Sequence, residues 1–518
     1  MNRHGCDRPS APPHNRIRHQ KSKKTAACPG PPVRRNNEKA PRRRVSRSRL
    51  DAVDCDACSL TEGHSGPHSL TRLGDRHGSC SCRRVSRIVT APVLMQNVLS
   101  LDAKRHPVVP QGRGVRSIVN GVSLIREAAP GLHAISMGVG VGRGAYDDPH
   151  GEAGLAHFCE HARVAQVNRM IGPAKARVLS VEAFTERNET YFVVCALKQD
   201  AAVLGEWLDA FLNPHPLDDE AIEQERAVLV EEVATLESSE ISRIDDEFLK
   251  AAYGDERMWR PIGGRVADVA ALAGANVHRA IADDNRHGKI AVALVGDLQS
   301  TGLLASVERT LGMLPRAPET ASAAAVDPMP AHGLTAGRAP IPTSLGVGYF
   351  MLGYPAFPRF DERRVSLYAM SLIFGEDEHS VLYKALRVDK ALLYAVNSEC
   401  HLFKDHGHLI IRGMVAYDKL ERVMDHVFEL AAAMPAIVRD RAVQDEARQA
   451  LMRTLLMRLD DPRNRLMRLL KHEMWFDRYF DYDDDLDFIR GVTPQSLQEV
   501  TEAVLRSPPL ICHGVANG

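Results

Sequence analysis

The chain lacks several things. It has no run of about eighteen apolar residues, which argues against a membrane-spanning helix. It has no excess of either charge, since 66 Lys and Arg balance 66 Asp and Glu over 518 residues. It has no disulfide framework: Cys159, Cys195, Cys400 and Cys512 are scattered singly, as suits a reducing cytoplasm, the expected compartment. What remains is ordinary globular composition, 44% hydrophobic and 25% charged, with length enough for two to four domains.

The balanced charge hides two unlike parts. Residues 1–90 hold 20 basic and 7 acidic residues, and the rest holds 46 and 59. The first stretch is rich in Pro, Ser and His and carries the cluster Arg42, Arg43, Arg44, Arg47 and Arg49. It has too little apolar surface to repay its ordering entropy, so residues 1–94 read as a disordered basic tail, or as an extension upstream of an alternative start at Met95. No aromatic residue interleaves with the arginines, so nothing stacks on bases, and the acidic remainder repels phosphate. Nucleic acid is therefore not the expected partner. Cys55, Cys58, Cys80 and Cys82, with His64, His68 and His77 nearby, could form a small zinc site. Their second pair lacks the usual two-residue gap.

From Val115 the pattern becomes that of a folded protein. Val115–Val119, Asn120-Gly121 and Val122–Arg126 read as a hairpin. His133–Val141 reads as a strand, the stretch to about Asn168 as a helix, and Val181–Leu197 as a strand. Ala202–Leu212 and Asp219–Leu236 read as helices, and Lys289–Val295 as a buried strand. Residues 316–343 have linker composition. A second unit follows, with strands at Leu345–Gly353 and His408–Val415 and helices at Asp361–Phe374, Asp418–Met434 and Val443–Met467. Both units end on a helix and a short apolar strand, a weak internal repeat. The expected fold is α+β: two homologous domains forming a clamshell, each a mixed, mostly antiparallel sheet packed by helices. The zinc-bearing domain spans 95–315 and the metal-free one 344–518.

His157-Phe158-Cys159-Glu160-His161 lies on the first of these helices. Two His four apart face one side of a helix, so both imidazoles can reach one ion. Glu160 leans toward the same place as a carboxylate for proton transfer. Hydrolytic zinc takes three protein ligands and leaves one position to water. The helix Asp219–Leu236 supplies Glu225 and Glu232, two turns apart on one stripe, with Val228 and Leu229 between them on the buried side. The bland alternative is a satisfied polar cluster on a helix surface.

These residues resemble the inverted-zincin metallopeptidases of the pitrilysin, insulinase and mitochondrial-processing-peptidase type. The likeness extends over roughly 112–518. It includes Gly138-x-Gly140-x-Gly142, Ala183-Phe184-Thr185, Thr190-Tyr191, Trp259-Arg260-Pro261-Ile262-Gly263-Gly264, Gly353-Tyr354-Pro355-Ala356-Phe357 and Leu393-Tyr394-Ala395-Val396. The resemblance implies that His157, His161 and Glu232 hold Zn2+, that Glu160 is the general base, and that Glu225 steadies a ligand. It implies that Arg387 and Tyr394, from the second domain, hold the substrate carbonyl or oxyanion. Glu182 stands where the family commonly has Asn on its substrate-binding edge strand. The implied activity is endopeptidase cleavage of peptides or unfolded precursor segments. The implied assembly is a homodimer or a heterodimer with a related subunit, of which this chain could be the weakly active or non-catalytic member.

Overall fold

The Asn120-Gly121 hairpin opens the first of two β-sheets. The computed structural model describes residues 114–299, 301–316 and 333–516, all within one compact unit, Cys82–Gly518. The basic tail and its cysteine–histidine cluster lie outside the described residues. β1 (Val115–Val119) pairs antiparallel with β2 (Val122–Ala128). Asn120 and Gly121 have φ values of 50° and 74°, both positive as a two-residue turn matched to strand twist requires. β3 (Ala134–Val141), β4 (Val178–Thr185), β5 (Thr190–Leu197) and β6 (Ile290–Gly296) complete the sheet, in the order β1-β2-β6-β3-β5-β4. The stretch Val181–Leu197, expected as one strand, belongs to two. Its polar run Glu186–Glu189 turns the chain back, with the Glu186 N–H donating to the Glu189 carbonyl at 2.7 Å. That turn makes β4 the sheet edge.

The helices of this half are α1 (Leu155–Met170), α2 (Ala202–Leu212), α3 (Asp219–Glu237), α4 (Glu240–Ala252), α5 (Glu256–Trp259), α6 (Val266–Ala271), α7 (Gly274–His287) and α8 (Leu303–Met313). Apolar side chains of α1, α2 and α8 pack on one sheet face, among them Val167, Trp207, Phe211 and Val307. A neighbouring core joins α1 to α3, α6 and α7 through Phe158, Ala162, Leu229, Val233, Val269 and Ile281.

The second sheet comprises β7 (Gly337–Thr343), β8 (Gly348–Ala356), β9 (Leu393–Leu402), β10 (Gly407–Val415) and β11 (Leu510–Ala516), in the order β7-β11-β8-β10-β9. The helices are α9 (Arg364–Ser371), α10 (Leu420–Ile437), α11 (Arg441–Leu459), α12 (Pro462–Phe476), α13 (Tyr482–Arg490) and α14 (Pro494–Leu505). Counted from β2, the first sheet has the same order and the same strand directions as the second. In each, one parallel pair (β2 with β6, β7 with β11) precedes three antiparallel ones. The internal repeat is thus a repeat of topology.

Two further expectations need correction. The last residues of the stretch read as linker form β7. Its Pro340 and Pro342 are tolerated because the strand sits at the sheet edge, where an N–H can be missing without breaking a ladder. The helix expected over Val443–Met467 is two helices. Asp461 caps α12 by accepting from the Arg463 N–H at 2.8 Å, and Pro462 occupies the first turn, where a missing donor costs nothing.

That break redirects α12 onto the other sheet. Its Leu466, Leu469, Leu470 and Met474 pack against Ile125, Tyr191, Ala293 and Val295 of the first half. Gly138 makes the approach feasible, since a Cβ there would lie 2.6 Å from Leu470 Cδ1. Arg116 donates twice to Glu473, at 2.7 Å each, and Ser123 adds a third bond at 2.7 Å. Conversely, Ile244, Phe248 and Ala252 of α4 pack on the second sheet with Met351, Ile410 and Cys512. There Gly353 gives the room, a Cβ lying 2.5 Å from Phe248 Cζ. Each half lends one helix to the other's sheet.

Candidate active site

Gly154 caps the start of helix α1, and its φ of 87° favours glycine. The Asp148 carboxylate accepts from the Gly154 and Ala156 N–H groups at 2.8 Å each, capping the helix from six residues upstream. Burial pushes the Asp148 carboxyl up to about 7. The glycine loop packs on this start. A Cβ on Gly263 would lie 3.2 Å from His157 Nδ1, so the loop seats that ring directly.

The two His rings meet edge to face, with centroids 4.9 Å apart. Helix α3 faces them, capped by Asp218, which accepts from the Ala221 N–H at 2.8 Å. Arg226 ties α3 down by donating to the Val269 carbonyl at 2.7 Å. Glu232 Oε1 lies 3.9 Å from His157 Nε2, and its Oε2 lies 3.6 Å from His161 Nε2. Glu225 Oε2 lies 3.7 Å from His161 Nδ1. The buried stripe of α3 runs through Ile222, Leu229 and Val233. Val228, expected on it, is 53% exposed, because one residue's rotation carries it off the stripe.

Glu160 is buried, and the Thr185 hydroxyl donates to its Oε2 at 2.7 Å. The ligand atoms of His157, Glu160 and His161 lie within 4.8 Å of one another. Burial lifts the Glu160 carboxyl to about 7. Burial, followed by the neighbouring His161, lowers His157 to about 4. Burial alone would lower His161 too, but Glu225 and Glu232 outweigh it and hold the ring up at about 9. Cys159, on the same helix, has its thiol raised by burial and faces the Val277 carbonyl, away from the His pair.

The donor set fits a small divalent cation. Two imidazole Nε2 atoms and a carboxylate converge. Tetrahedral ligands at about 2.1 Å lie about 3.4 Å from one another, close to the spacings seen here. Glu225 beside His161 Nδ1 favours the tautomer that frees Nε2 for a metal.

His157, Glu160 and Glu232 line a cavity of about 220 Å3 between the halves. The turn Glu186–Glu189 forms one side, Phe248, Leu249 and Ile262 another, and Met351, Glu399, His401, Phe403, His408 and Arg412 the wall from the second half. Trp475 of the exchanged helix α12 also reaches it. Arg387 and Tyr394 are not among its lining residues. Arg387 Nη1 donates to the Tyr394 carbonyl at 2.6 Å, and its guanidinium lies over that ring at 5.5 Å. Tyr394 is 78% exposed, five residues along β9 from the cavity-lining Glu399, or about 16 Å at strand rise. Glu182 does lie on the edge strand, where it is paired with Arg463 of α12 at 2.6 Å.

Sequence reasoning missed Thr185 as the partner of Glu160, Asp148 as a cap, and the second-half wall. The dipeptide Phe184-Thr185 was visible, but nothing in it announces a contact 25 residues back. No helix among the described residues is long and apolar enough to cross a membrane.

Residues 124–265 match the family model described as insulinase (peptidase family M16), and 286–441 match the one described as the M16 peptidase inactive domain. A protein described as an uncharacterised zinc protease from Mycobacterium leprae (strain TN) is 24% identical over 77% of this chain and 88% of its own length. One so described from Mycobacterium tuberculosis (strain ATCC 25618 / H37Rv) is 26% identical over 75% and 90%. The crystal structure of a protease from Helicobacter pylori matches with a TM-score of 0.68 at 16% identity, covering 79% of this chain and 100% of that one, a likeness of fold. With both M16 models met in sequence order, the chain belongs to the pitrilysin/insulinase-type (M16) metallopeptidase family.

Proposed function

We propose that this chain is a zinc-dependent endopeptidase acting on peptides or unfolded precursor segments. One observation carries the reading: two imidazoles, Glu232 and a separate buried carboxylate, Glu160, converge beside a cavity between the halves that His157, Glu160 and Glu232 line. His157, His161 and Glu232 hold the metal. Zinc in such a site supplies Lewis acidity to a scissile carbonyl and lowers the pKa of water toward about 7. Glu160 is the proton acceptor. Its carboxylate takes a proton from the attacking water and returns it to the departing amine. Burial raises its basicity above that of an ordinary carboxylate, which favours its taking the proton.

Thr185 fixes one Glu160 oxygen and leaves the other for the proton. Glu225 orients the His161 ring through Nδ1. The substrate lies as an added strand along the β4 edge, with closure of the two halves excluding water around it. Arg387 and Tyr394 take the carbonyl or oxyanion role in this reading, which requires a closing movement to bring them in. The test is Glu160→Gln. The variant is expected to bind zinc in full and to cleave no peptide. Normal cleavage by it would remove Glu160 from the mechanism.

A further inference from the structure

Three arginines line the cavity between the halves: Arg187, Arg359 and Arg412. Two are neutralised within the fold. Arg359 is paired with Glu189 at 2.6 Å, and Arg412 bridges Asp245 at 3.2 Å and Glu399 at 3.3 Å. Arg187 is different. Among the described residues no carboxylate oxygen forms an ion pair with it. The carboxylate of Asp246 feels its charge, but after that of Arg265.

Arg187 is nonetheless held in place. Its carbonyl accepts from the Tyr146 N–H at 2.8 Å, which clamps the turn that carries it. Its Nη1 donates to the Arg260 carbonyl at 3.2 Å, and its guanidinium rests over the Tyr146 ring at 5.4 Å. A guanidinium has five N–H donors, and one carbonyl leaves most of the fork available. A cation fixed in advance loses little conformational entropy when an anion arrives. The acidic edge-strand residue Glu182 is already paired with Arg463 and so is not free to receive a basic group.

We infer that Arg187 is a specificity residue that receives a carboxylate of the bound peptide, from an acidic side chain or from the C-terminus. This rests on the peptidase reading for its substrate class, and on the cavity geometry for the residue. A planar fork suits a carboxylate bidentately, which a point charge does not.

The experiment uses the full chain and matched peptide pairs. One arm compares Glu with Gln at each position in turn, and the other compares a free C-terminal acid with its amide. Affinity is measured by fluorescence anisotropy on metal-free protein, and kcat/KM on the zinc-loaded protein. The peptide carrying the carboxylate is expected to bind about tenfold more tightly than its neutral mate in at least one arm, a difference of about 1.4 kcal/mol. Arg187→Gln should bring the two mates to equal affinity. Arg187→Lys, which keeps the charge but loses the fork, should keep part of the preference and so exclude simple misfolding. Equal binding of both mates by the wild type overturns the inference, as does a preference that survives Arg187→Gln. Cleavage without discrimination removes the role of Arg187 alone, whereas discrimination without cleavage removes the peptidase reading alone.

Discussion

Thr185 and Glu160, twenty-five residues apart in sequence, are joined by a buried hydrogen bond of 2.7 Å across the boundary between strand β4 and helix α1. One oxygen of the carboxylate is thereby fixed, and the other is aimed by default. Thr185→Val, nearly isosteric, should lower kcat about 10- to 100-fold, the range usual for partners of catalytic groups, with little change in KM. Thr185→Ser keeps the hydroxyl and should restore most of the rate. Steady-state kinetics at fixed pH with measured zinc content decides it. An unchanged kcat in Thr185→Val would show that the bond orients nothing of consequence.

Glu225 stands 3.7 Å from His161 Nδ1, on the side away from Glu232. Glu225→Gln should weaken zinc binding about 10- to 100-fold while leaving the fold intact. Competition against a chelator of known affinity measures it, with circular dichroism as the control for folding. Wild-type affinity in the variant would make Glu225 a bystander.

The exchanged helices predict long-range effects of core mutations. Leu470→Ala on α12 and Phe248→Ala on α4 each remove a fully buried side chain, at a cost of about 2–5 kcal/mol. The loss should appear in the opposite half. Hydrogen exchange is expected to accelerate in β3 and β6 for Leu470→Ala, and in β8 and β11 for Phe248→Ala. Acceleration confined to the mutated residue's own half would contradict the exchange.

His408 is buried, and burial followed by the charges of His401, His406, Arg187 and Arg412 holds its pKa well below the ordinary value. A base whose pKa is depressed on folding binds more protons when unfolded. Its contribution to stability is therefore complete above the unfolded pKa of about 6.5 and is lost as pH falls below it. Wild type should lose up to about 1.4 kcal/mol per pH unit more than His408→Gln below pH 6.5, and nothing more above it. Urea unfolding midpoints of both proteins at pH 5 to 8 test this. Parallel curves would mean that His408 ionises freely in the fold.

Much of the site could be read before any coordinates. The spacing His157–His161 fixes two rings on one helix face, because 3.6 residues make a turn, and Glu225 and Glu232 fall on one stripe for the same reason. The Asn120-Gly121 turn, α2 and the opening of α3 were equally local, decided by neighbours within a few residues. Gly138 was visible as a motif, although its purpose was not.

Tertiary structure decided the rest. Whether Glu232 meets the His pair depends on how α3 packs on α1 through Leu229 and Phe158, an outcome of volume and shape that no spacing encodes. The separation of Val181–Leu197 into two strands turned on a short polar break inside an apolar run, whereas the break of Val443–Met467 into two helices is local, at the Asp461 cap and Pro462. Above all, the loan of α4 and α12 between halves is invisible in the chain, because an amphipathic helix records that it must bury one face and not which sheet will receive it.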